Sequence, residues 1–363
     1  MRDRYDVIVV GARVGGSVLT ALLGDAGVSV LLVDRARFPS TTPSTHFFRG
    51  AGMVGVLDRL GVLEAVLDLG CPPLTREFNY TDGETEPAEA PPQDPGAIGY
   101  CLSVRREPLD FILLKRARVS ESVDFMERTA LSDLLWNGDR VVGVRLADGR
   151  SAHAEIIVGA DGRHSLVAKK VTPPLEHETP PYRALYYRYV TGFLGPDGAK
   201  PDAAEFSQLD DELAYIFPSD SGLTCVAVSV NLETFRWLRK DFETRYAERI
   251  AQHRGLASRV ADAEASGRLS GRGPARNHVR VPWGPGWALV GDAAMHQDPW
   301  SGLGMDMAGV HATLLADAIV DSLRGSADER TAFAKYHRRR NAHGLAGYQE
   351  TVRYAADLSQ LEA

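Results

Sequence analysis

The first 34 residues constrain the fold more than any other part of the chain. A β-branched run, Asp6–Val10, is followed by a glycine-rich turn and a helical stretch, Val18–Asp25. A second apolar run, Val28–Val33, then ends at Asp34. Short, continuous apolar runs are typical of parallel strands buried on both faces. The order strand, glycine turn, helix, strand therefore predicts a βαβ unit at the start of an α/β fold.

The turn of this unit reads Gly11-Ala12-Arg13-Val14-Gly15-Gly16. The dinucleotide fingerprint has glycine at its first, third and sixth positions. Gly11 and Gly16 match, and Arg13 replaces the middle glycine. Its guanidinium is predicted either to bind the pyrophosphate as a charge-assisted fork or to point into solvent. The acid at the end of the second strand, Asp34, followed by Arg35, is placed to bind the adenosine ribose.

Two further motifs also follow buried strands. Gly159-Ala160-Asp161-Gly162 comes after Ala154–Val158, and Gly291-Asp292-Ala293-Ala294 comes after Ala288–Val290. Pro299 and the run Gly302-Leu303-Gly304-Met305 then open a helix. A glycine-rich helix N-terminus offers free amides and a positive dipole end. The N1–C2=O edge of a reduced flavin, which carries negative charge, needs such a partner. The three motifs in this order predict an FAD site.

The middle of the chain changes to an alternating pattern from about residue 182 to residue 232, which predicts an antiparallel sheet. Helices are predicted at Arg106–Ala117, Phe242–Gly267 and His311–Leu323, followed by a polar helical tail. The predicted fold class is α/β, with a Rossmann-like FAD-binding domain and a discontinuous substrate domain built on an antiparallel sheet covered by helices. We assign residues 1–70, 96–175 and 276–325 to the FAD-binding domain, 71–95 and 176–275 to the substrate domain, and 326–363 to the C-terminal tail.

The composition limits the kinds of partner that the protein is expected to bind. The formal net charge of -7 argues against a nucleic-acid partner. No apolar stretch reaches the roughly 18 residues of a membrane helix, so no membrane insertion is expected. The three cysteines are widely spaced, which argues against both a disulfide framework and a metal site. We expect a cytoplasmic protein, a monomer or homodimer, with a small-molecule substrate.

The three motifs, with Arg106 ahead of a Leu-containing helix, resemble the FAD-dependent monooxygenases of the para-hydroxybenzoate hydroxylase fold from Tyr5 to about Arg340. That group also includes flavin-dependent halogenases and geranylgeranyl reductases. The resemblance implies FAD, NAD(P)H and O2, with a flavin C4a-hydroperoxide that hydroxylates or epoxidises an aromatic or polyunsaturated small molecule. The residues that it implies for the cofactor are Gly11, Gly16 and Asp34 for the ADP half, Arg106 for the pyrophosphate or ribityl chain, Asp161 and Gly162 for support, Asp292 for the ribityl chain, and Pro299 with Gly302–Met305 for the isoalloxazine.

A branch of uncharacterised FAD oxidoreductases with Gly-Ala-Arg in the fingerprint is more closely similar. It shares Ser44-Thr45-His46 and the pattern His296-x-Asp298-Pro299. Two residues depart from the wider group: Met295 replaces a histidine, and Asp306 replaces a common asparagine. The resemblance implies that Asp306 places a carboxylate near the flavin end.

Catalytic and substrate residues are less constrained. His46 and His296 are the candidates for contacts near the flavin, and each alternatively has a structural role. The candidates for the substrate cavity are Tyr187, Tyr189, Tyr215, Phe217, Cys225 and Ala227, whose alternative is a place in the core. A halogenase is disfavoured because Tyr215-Ile216-Phe217-Pro218 stands where that group has its tryptophan signature. A double-bond reductase and a flavin-binding protein without turnover remain alternatives.

Overall fold

The structure is a computed structural model that describes residues 2–44, 46–81 and 84–361. The strands within these residues are β1 (Arg4–Val10), β2 (Val30–Val33), β3 (Phe47–Phe48), β4 (Arg76–Tyr80), β5 (Ala88–Ala90), β6 (Leu102–Ser103), β7 (Val123–Met126), β8 (Leu131–Asn137), β9 (Arg140–Leu146), β10 (Ser151–Gly159), β11 (Leu175–Thr179), β12 (Arg183–Thr191), β13 (Ala203–Leu209), β14 (Glu212–Pro218), β15 (Thr224–Asn231), β16 (Glu264–Arg272), β17 (Asn277–Arg280), β18 (Trp283–Gly284), β19 (Trp287–Leu289) and β20 (Met295–His296). The α-helices are α1 (Val14–Asp25), α2 (Gly55–Arg59), α3 (Leu63–Leu67), α4 (Arg106–Ala117), α5 (Leu166–Val171), α6 (Leu232–Leu238), α7 (Phe242–Ile250), α8 (Arg254–Asp262), α9 (Gly304–Leu323) and α10 (Glu329–Ala355).

The first sheet is built around β1, which pairs in parallel with β2 on one side and β10 on the other. Its main path runs β18-β19-β10-β1-β2-β7, and β9 and β8 extend from β10. Val7 and Val9 face the apolar cluster formed with α1, α4 and α9, whereas Ile8 and Val10 face a second cluster on the opposite side. Burial on both faces explains why β1 is a continuous apolar run.

The second sheet has the strand order β16-β12-β15-β14-β13-β4-β5. Its pairs are antiparallel except for β4 and β13. One face packs under α7 and α8 through Tyr246, Ile250 and Leu256. The other face contributes an aromatic cluster that contacts Phe47 of β3. This sheet therefore has two apolar faces, one of which turns toward the first sheet.

The remaining strands and helices complete the structure. Strands β11, β17 and β20 form a small sheet, β3 pairs with β6, and α10 packs along α9. Among the described residues, no helix combines the length and the apolar character needed to cross a membrane.

The predicted α/β fold class, with a parallel sheet at the N-terminus and an antiparallel one in the middle of the chain, is confirmed. Helix α4 has the predicted bounds, Arg106–Ala117. The single helix predicted at Phe242–Gly267 is wrong, since α7 and α8 end at Asp262 and the edge strand β16 begins at Glu264. The predicted helix at His311–Leu323 begins earlier, at Gly304.

Candidate active site

A cavity of about 670 Å³ lies where the carboxyl ends of β1, β2, β10 and β19 meet strands β12 and β16 of the second sheet. Ligands of open α/β sheets bind outside the carboxyl ends of parallel strands. All three sequence motifs reach this cavity. The predicted cofactor residues that line it are Gly11, Arg13, Gly15, Asp34, Arg35, Arg106, Asp161, Asp292, Pro299, Gly302, Gly304 and Met305.

The turn between β1 and α1 needs its glycines for close packing. Gly11 has a φ of 108°, and a Cβ there would lie 2.4 Å from the carbonyl oxygen of Ala160. A Cβ at Gly16 would lie 1.8 Å from the oxygen of Gly11, so Gly16 packs the helix onto the turn and does not line the cavity. No side chain caps the N-terminus of α1. Its first amides are therefore available to an anion in the cavity.

The Asp34 carboxylate is held by two backbone amides. Its Oδ2 accepts from Ala12 N at 2.7 Å, and its Oδ1 accepts from Ala36 N at 2.8 Å. A carboxylate has about four acceptor sites, so the oxygens retain capacity for ligand hydroxyls. The amide bonds fix the carboxylate at the cavity wall.

Arg13 and Arg106 share one carboxylate, that of Asp110 on α4. Arg106 Nε and Nη2 lie 3.0 Å from Oδ1 and Oδ2, and Arg13 Nη1 lies 2.7 Å from Oδ2. Asp110 is fully buried, whereas the Arg13 side chain is 28% exposed. The Arg13 guanidinium is therefore held by the protein and does not extend freely into solvent, and both arginines line the cavity.

The Asp161 carboxylate accepts hydrogen bonds from the first turn of α5. It accepts from Ser165 Oγ at 2.5 Å, Leu166 N at 2.6 Å and Val167 N at 3.3 Å. Burial raises the pKa of Asp161, and these hydrogen bonds work against that rise. Its acceptor sites are largely taken by the helix start, which makes Asp161 a support of the cavity wall.

Asp292 lies at the end of β19 beside two histidines and an arginine. Its Oδ2 lies 3.3 Å from His296 Nδ1 and 3.8 Å from Arg272 Nη1. Burial works to raise the pKa of Asp292, but His296, Arg272 and His278 outweigh it, and the pKa lies well below its ordinary value. Burial and Arg280 lower the pKa of His278 to about 4. Asp292 is therefore a fixed negative charge at the cavity.

Two arginines and a histidine form another part of the cavity wall. Arg163, His164 and Arg272 all line it. Burial, and then Arg272, lower the pKa of Arg163. Burial, Arg163 and Lys169 lower the pKa of His164. The charges of Arg163 and Arg272, which lie close enough to act on each other, favour an anion at this part of the wall.

The start of α9 forms the opposite part of the wall. Gly302 has a φ of 71°, and no side chain caps the first turn of the helix. Contrary to the prediction, Leu303 does not line the cavity. Its side chain lies beside Gly347 of α10. The Asp306 carboxylate, expected near the flavin end, instead accepts from Met53 N at 2.8 Å and pairs with Arg49 at 3.3 Å, outside the cavity wall.

The substrate candidates divide by strand. Tyr187 of β12 lines the cavity together with Leu185. Tyr189 on the same strand instead bonds to His46, with its hydroxyl 2.8 Å from Nε2, and neither residue lines the cavity. His296 lines it, and Thr45 of the predicted Ser44-Thr45-His46 motif lies outside the described residues.

The candidates on β14 and β15 lie in the core. Tyr215 donates to Trp300 O at 2.8 Å, and the ring of Phe217 stacks on Phe47 with centroids 4.8 Å apart. Cys225 and Ala227 are fully buried in the same cluster. The physical reason is position in the sheet: the cavity covers β12 and β16, and these residues are on the next strands inward. Contrary to the prediction, these four residues do not line the cavity.

Sequence reasoning missed several residues at or behind the cavity wall. Asp110, which does not line the cavity but holds Arg13 and Arg106 at its wall, could have been found, because it lies one helical turn after Arg106. Asp298 stood inside a noted motif but was given no role. Arg163, His164 and Gln297 likewise stood inside or directly after noted motifs without a role, and Arg272 had no sequence signal. Within the described residues no cluster of histidine, cysteine and acidic side chains is arranged to hold a metal ion.

The chain is similar in sequence or fold to several known FAD-binding proteins and monooxygenases. The family model described as FAD binding domain matches residues 4–351. The 6-methylpretetramide 4-monooxygenase of Streptomyces rimosus is 32% identical over 47% of this chain, and the alignment covers only 41% of that enzyme. The menaquinone reductase of Mycobacterium tuberculosis is 27% identical over 88% of this chain and 77% of its own length. The structure of PqsL, a probable FAD-dependent monooxygenase from Pseudomonas aeruginosa, superimposes with a TM-score of 0.81 at 24% identity, covering 98% of this chain and 96% of PqsL.

Proposed function

The chain belongs to the FAD binding domain family, and we propose that it is an FAD-dependent monooxygenase that hydroxylates or epoxidises an aromatic or polyunsaturated small molecule with NAD(P)H and O2. The balanced reaction converts substrate, O2, NAD(P)H and a proton into oxygenated substrate, NAD(P)+ and water. The observation that carries the proposal is that the dinucleotide motifs and the second sheet line one cavity together.

The donors and acceptors of the cavity fit FAD. Among the described residues its wall carries five arginines and four aspartates, and the carboxylate of Asp110 behind the wall pairs with two of these arginines, Arg13 and Arg106. The uncapped start of α1, with Arg13 and Arg106, suits a pyrophosphate, and Asp34 suits the adenosine ribose. Asp292 and the uncapped start of α9 would hold the ribityl chain and the N1–C2=O edge. When bound and reduced, the flavin supplies the chemistry that activates O2.

The group of Arg163, His164 and Arg272 supports the use of NAD(P)H. A pyrophosphate could accept hydrogen bonds from Arg163 and Arg272 and would offset the repulsion between these two charges. We propose that these residues receive the phosphates of NAD(P)H while its nicotinamide reaches the flavin.

The substrate would lie against β12 and β16. Leu185 and Tyr187 present apolar and aromatic surface there, and Gly271 and Gly273 add no side chains to the wall. Such a surface suits a flat, largely apolar ring system. The protein's part is to exclude water from the oxygen transfer and to hold the ring beside the flavin.

The test is oxygen labelling. The FAD-loaded protein is incubated with NADH or NADPH, isotopically labelled O2 and a panel of phenols and polyketide-like aromatics. One labelled oxygen atom in a product is expected. Consumption of NAD(P)H without labelled product from any substrate would contradict monooxygenation.

A double-bond reductase is the second candidate, because the menaquinone reductase similarity extends over most of the chain. The same assay separates the two functions when quinones and polyprenyl compounds are added to the panel. A reductase would yield a product with two added hydrogen atoms and no label, and would turn over without O2.

A further inference from the structure

Three consecutive side chains, His296, Gln297 and Asp298, line the cavity between β20 and the turn Pro299–Ser301. All three residues are nearly inaccessible, at 3%, 6% and 3% exposure. Polar groups this deeply buried are normally satisfied by hydrogen bonds within the protein. Where they are not, a ligand is the natural partner.

Gln297 is not fully satisfied. Its Nε2 lies 3.4 Å from Ser301 Oγ, a long contact, and its Oε1 has no hydrogen-bond partner among the described residues. Turning the amide over would exchange the two atoms, so either orientation leaves one polar atom without a partner. An unmade hydrogen bond at a buried amide is costly. Gln297 therefore presents a polar atom to whatever occupies the cavity.

Asp298 is a buried carboxyl whose hydrogen bonds come from the backbone of Trp300 and Arg183. Its Oδ1 accepts from Trp300 N at 3.2 Å. Burial raises the pKa of Asp298 to about 6, against the opposing effects of the Trp300 amide, Arg183 of β12 and His296. The negative charge of Asp298 also contributes to raising the pKa of Tyr215 of β14, after the larger effect of burial. The carboxyl therefore changes its charge close to neutral pH, where acid–base catalysts work best.

His296 is less suited to the same task. Its Nδ1 lies 3.3 Å from Asp292 Oδ2, which fixes the ring and orients it toward that carboxylate. Asp298 has no such ion pair within 4.0 Å among the described side chains.

We propose that Gln297 and Asp298 recognise a hydroxyl group on the aromatic ring of the substrate, and that Asp298 is the catalytic base that takes its proton. The O–H bond of the substrate breaks and a carboxyl O–H bond forms. The electron pair stays on the substrate oxygen and enriches the ring at the carbon that receives the new oxygen atom. The proton then leaves with the water that the overall reaction releases. The inference rests on the proposed function in taking the substrate to be an oxygenated aromatic ring.

Two probes test the hydroxyl recognition without turnover. FAD-loaded protein is titrated with 4-methylphenol and with its methyl ether, which has the same shape but no proton to donate, and binding is followed by the visible spectrum of the flavin. Ionised Asp298 accepts a hydrogen bond from the phenol. Affinity for the phenol should therefore rise about tenfold between about pH 5 and about pH 7, as the ionised fraction of a carboxyl with a pKa of about 6 does. Affinity for the ether should stay constant.

Variants assign the effect to the side chains. Asp298→Asn keeps an acceptor for Trp300 N and should abolish the pH dependence, and Asp298→Glu should retain it at a shifted midpoint. Gln297→Leu should weaken the binding of the phenol more than the binding of the ether. FAD content and flavin spectrum control for folding, and the phenol–ether comparison needs no variant.

The inference is overturned by an equal pH dependence for phenol and ether, or by an undiminished one in Asp298→Asn. A different outcome is that phenol binding depends on pH as expected but no labelled oxygen enters a product. That outcome would contradict the monooxygenase proposal and would leave the recognition of the hydroxyl group supported.

Discussion

The guanidinium of Arg13 and the carboxylate of Asp110 form an ion pair, with Nη1 2.7 Å from Oδ2. Arg13 also donates to the carbonyl and hydroxyl of Ser40 at 3.3 and 3.2 Å. The residue that interrupts the glycine fingerprint is thereby anchored from two sides. A fixed guanidinium loses less conformational entropy on binding a phosphate than a free one does.

Arg13→Gly should weaken FAD binding by about 1–3 kcal/mol, roughly ten- to a hundredfold. The substitution removes one of the two cations held on Asp110 and leaves that buried carboxylate with Arg106 alone. The measurement is a titration of the apoprotein with FAD, followed by flavin fluorescence.

Arg13→Lys is the matched control, since it keeps the charge and loses the planar fork. It should lie between the parent and Arg13→Gly. The titration is run at low salt and at about 1 M salt, where the screening length is about 3 Å. Binding by Arg13→Gly that equals the parent at both salt concentrations would show that the guanidinium does not reach the pyrophosphate.

The same pair shows where sequence reasoning stops. The βαβ unit and α4 were predicted because their signals are local: an apolar run, a glycine turn and apolar positions at helical spacing. The partner of Arg13 lies 97 residues further along the chain, and no local pattern specifies it. Tyr187 and Tyr215 were both predicted to line the cavity and lie in one apolar cluster, but the sequence does not specify which strands of that sheet the cavity covers.

The predicted helix across β16 failed for a related reason. Side chains of this edge strand are mostly exposed or half-buried, so they lack the apolar alternation of an inner strand. Its pairing with β12 is a tertiary contact that overrides the local preference.

Asp292→Ala should reduce the FAD content of the purified protein far more than Asp161→Ala. Asp292 is ionised and points its charge at the cavity, so it is expected to bind the cofactor directly, at about 1.5–3 kcal/mol. Asp161 is committed to the first turn of α5 and should mainly affect stability, by about 1 kcal/mol. FAD released on denaturation measures the first effect, and urea unfolding measures the second.

Ser165→Ala is the matched control, since Ser165 shares the capping role of Asp161 and does not line the cavity. It should resemble Asp161→Ala in both measurements. Equal loss of FAD in the Asp292 and Asp161 variants would contradict this ranking of the two motifs.

Glu176→Gln should destabilise the fold by about 2–3 kcal/mol, somewhat less than the loss of a partner in a fully buried pair because Glu176 is 23% exposed. Glu176 Oε2 lies 3.0 Å from Arg340 Nη2, and the Arg340 side chain is fully buried on α10. Removing one member of a buried pair leaves the other charge uncompensated. Urea unfolding measures the loss of stability. The control is Glu350→Gln, which changes an exposed residue on α10, the helix that carries Arg340. An equally small effect of both substitutions would mean that Arg340 is satisfied without Glu176.

Unfolding free energy should fall as the pH falls from about 7 to about 5, and His253 should account for about 2 kcal/mol of the fall. The ring is fully buried, and its Nδ1 lies 2.9 Å from Ser207 Oγ. Burial and Arg249 lower the pKa of His253 to about 4. The ordinary pKa of an unfolded histidine is about 6.5, so between these values the unfolded chain binds a proton that the folded protein does not. Stability is therefore complete above about pH 6.5 and declines toward pH 4. His253→Gln, measured by urea unfolding at constant excess FAD, should lose this share of the pH dependence, and an unchanged slope would show that the folded ring is protonated.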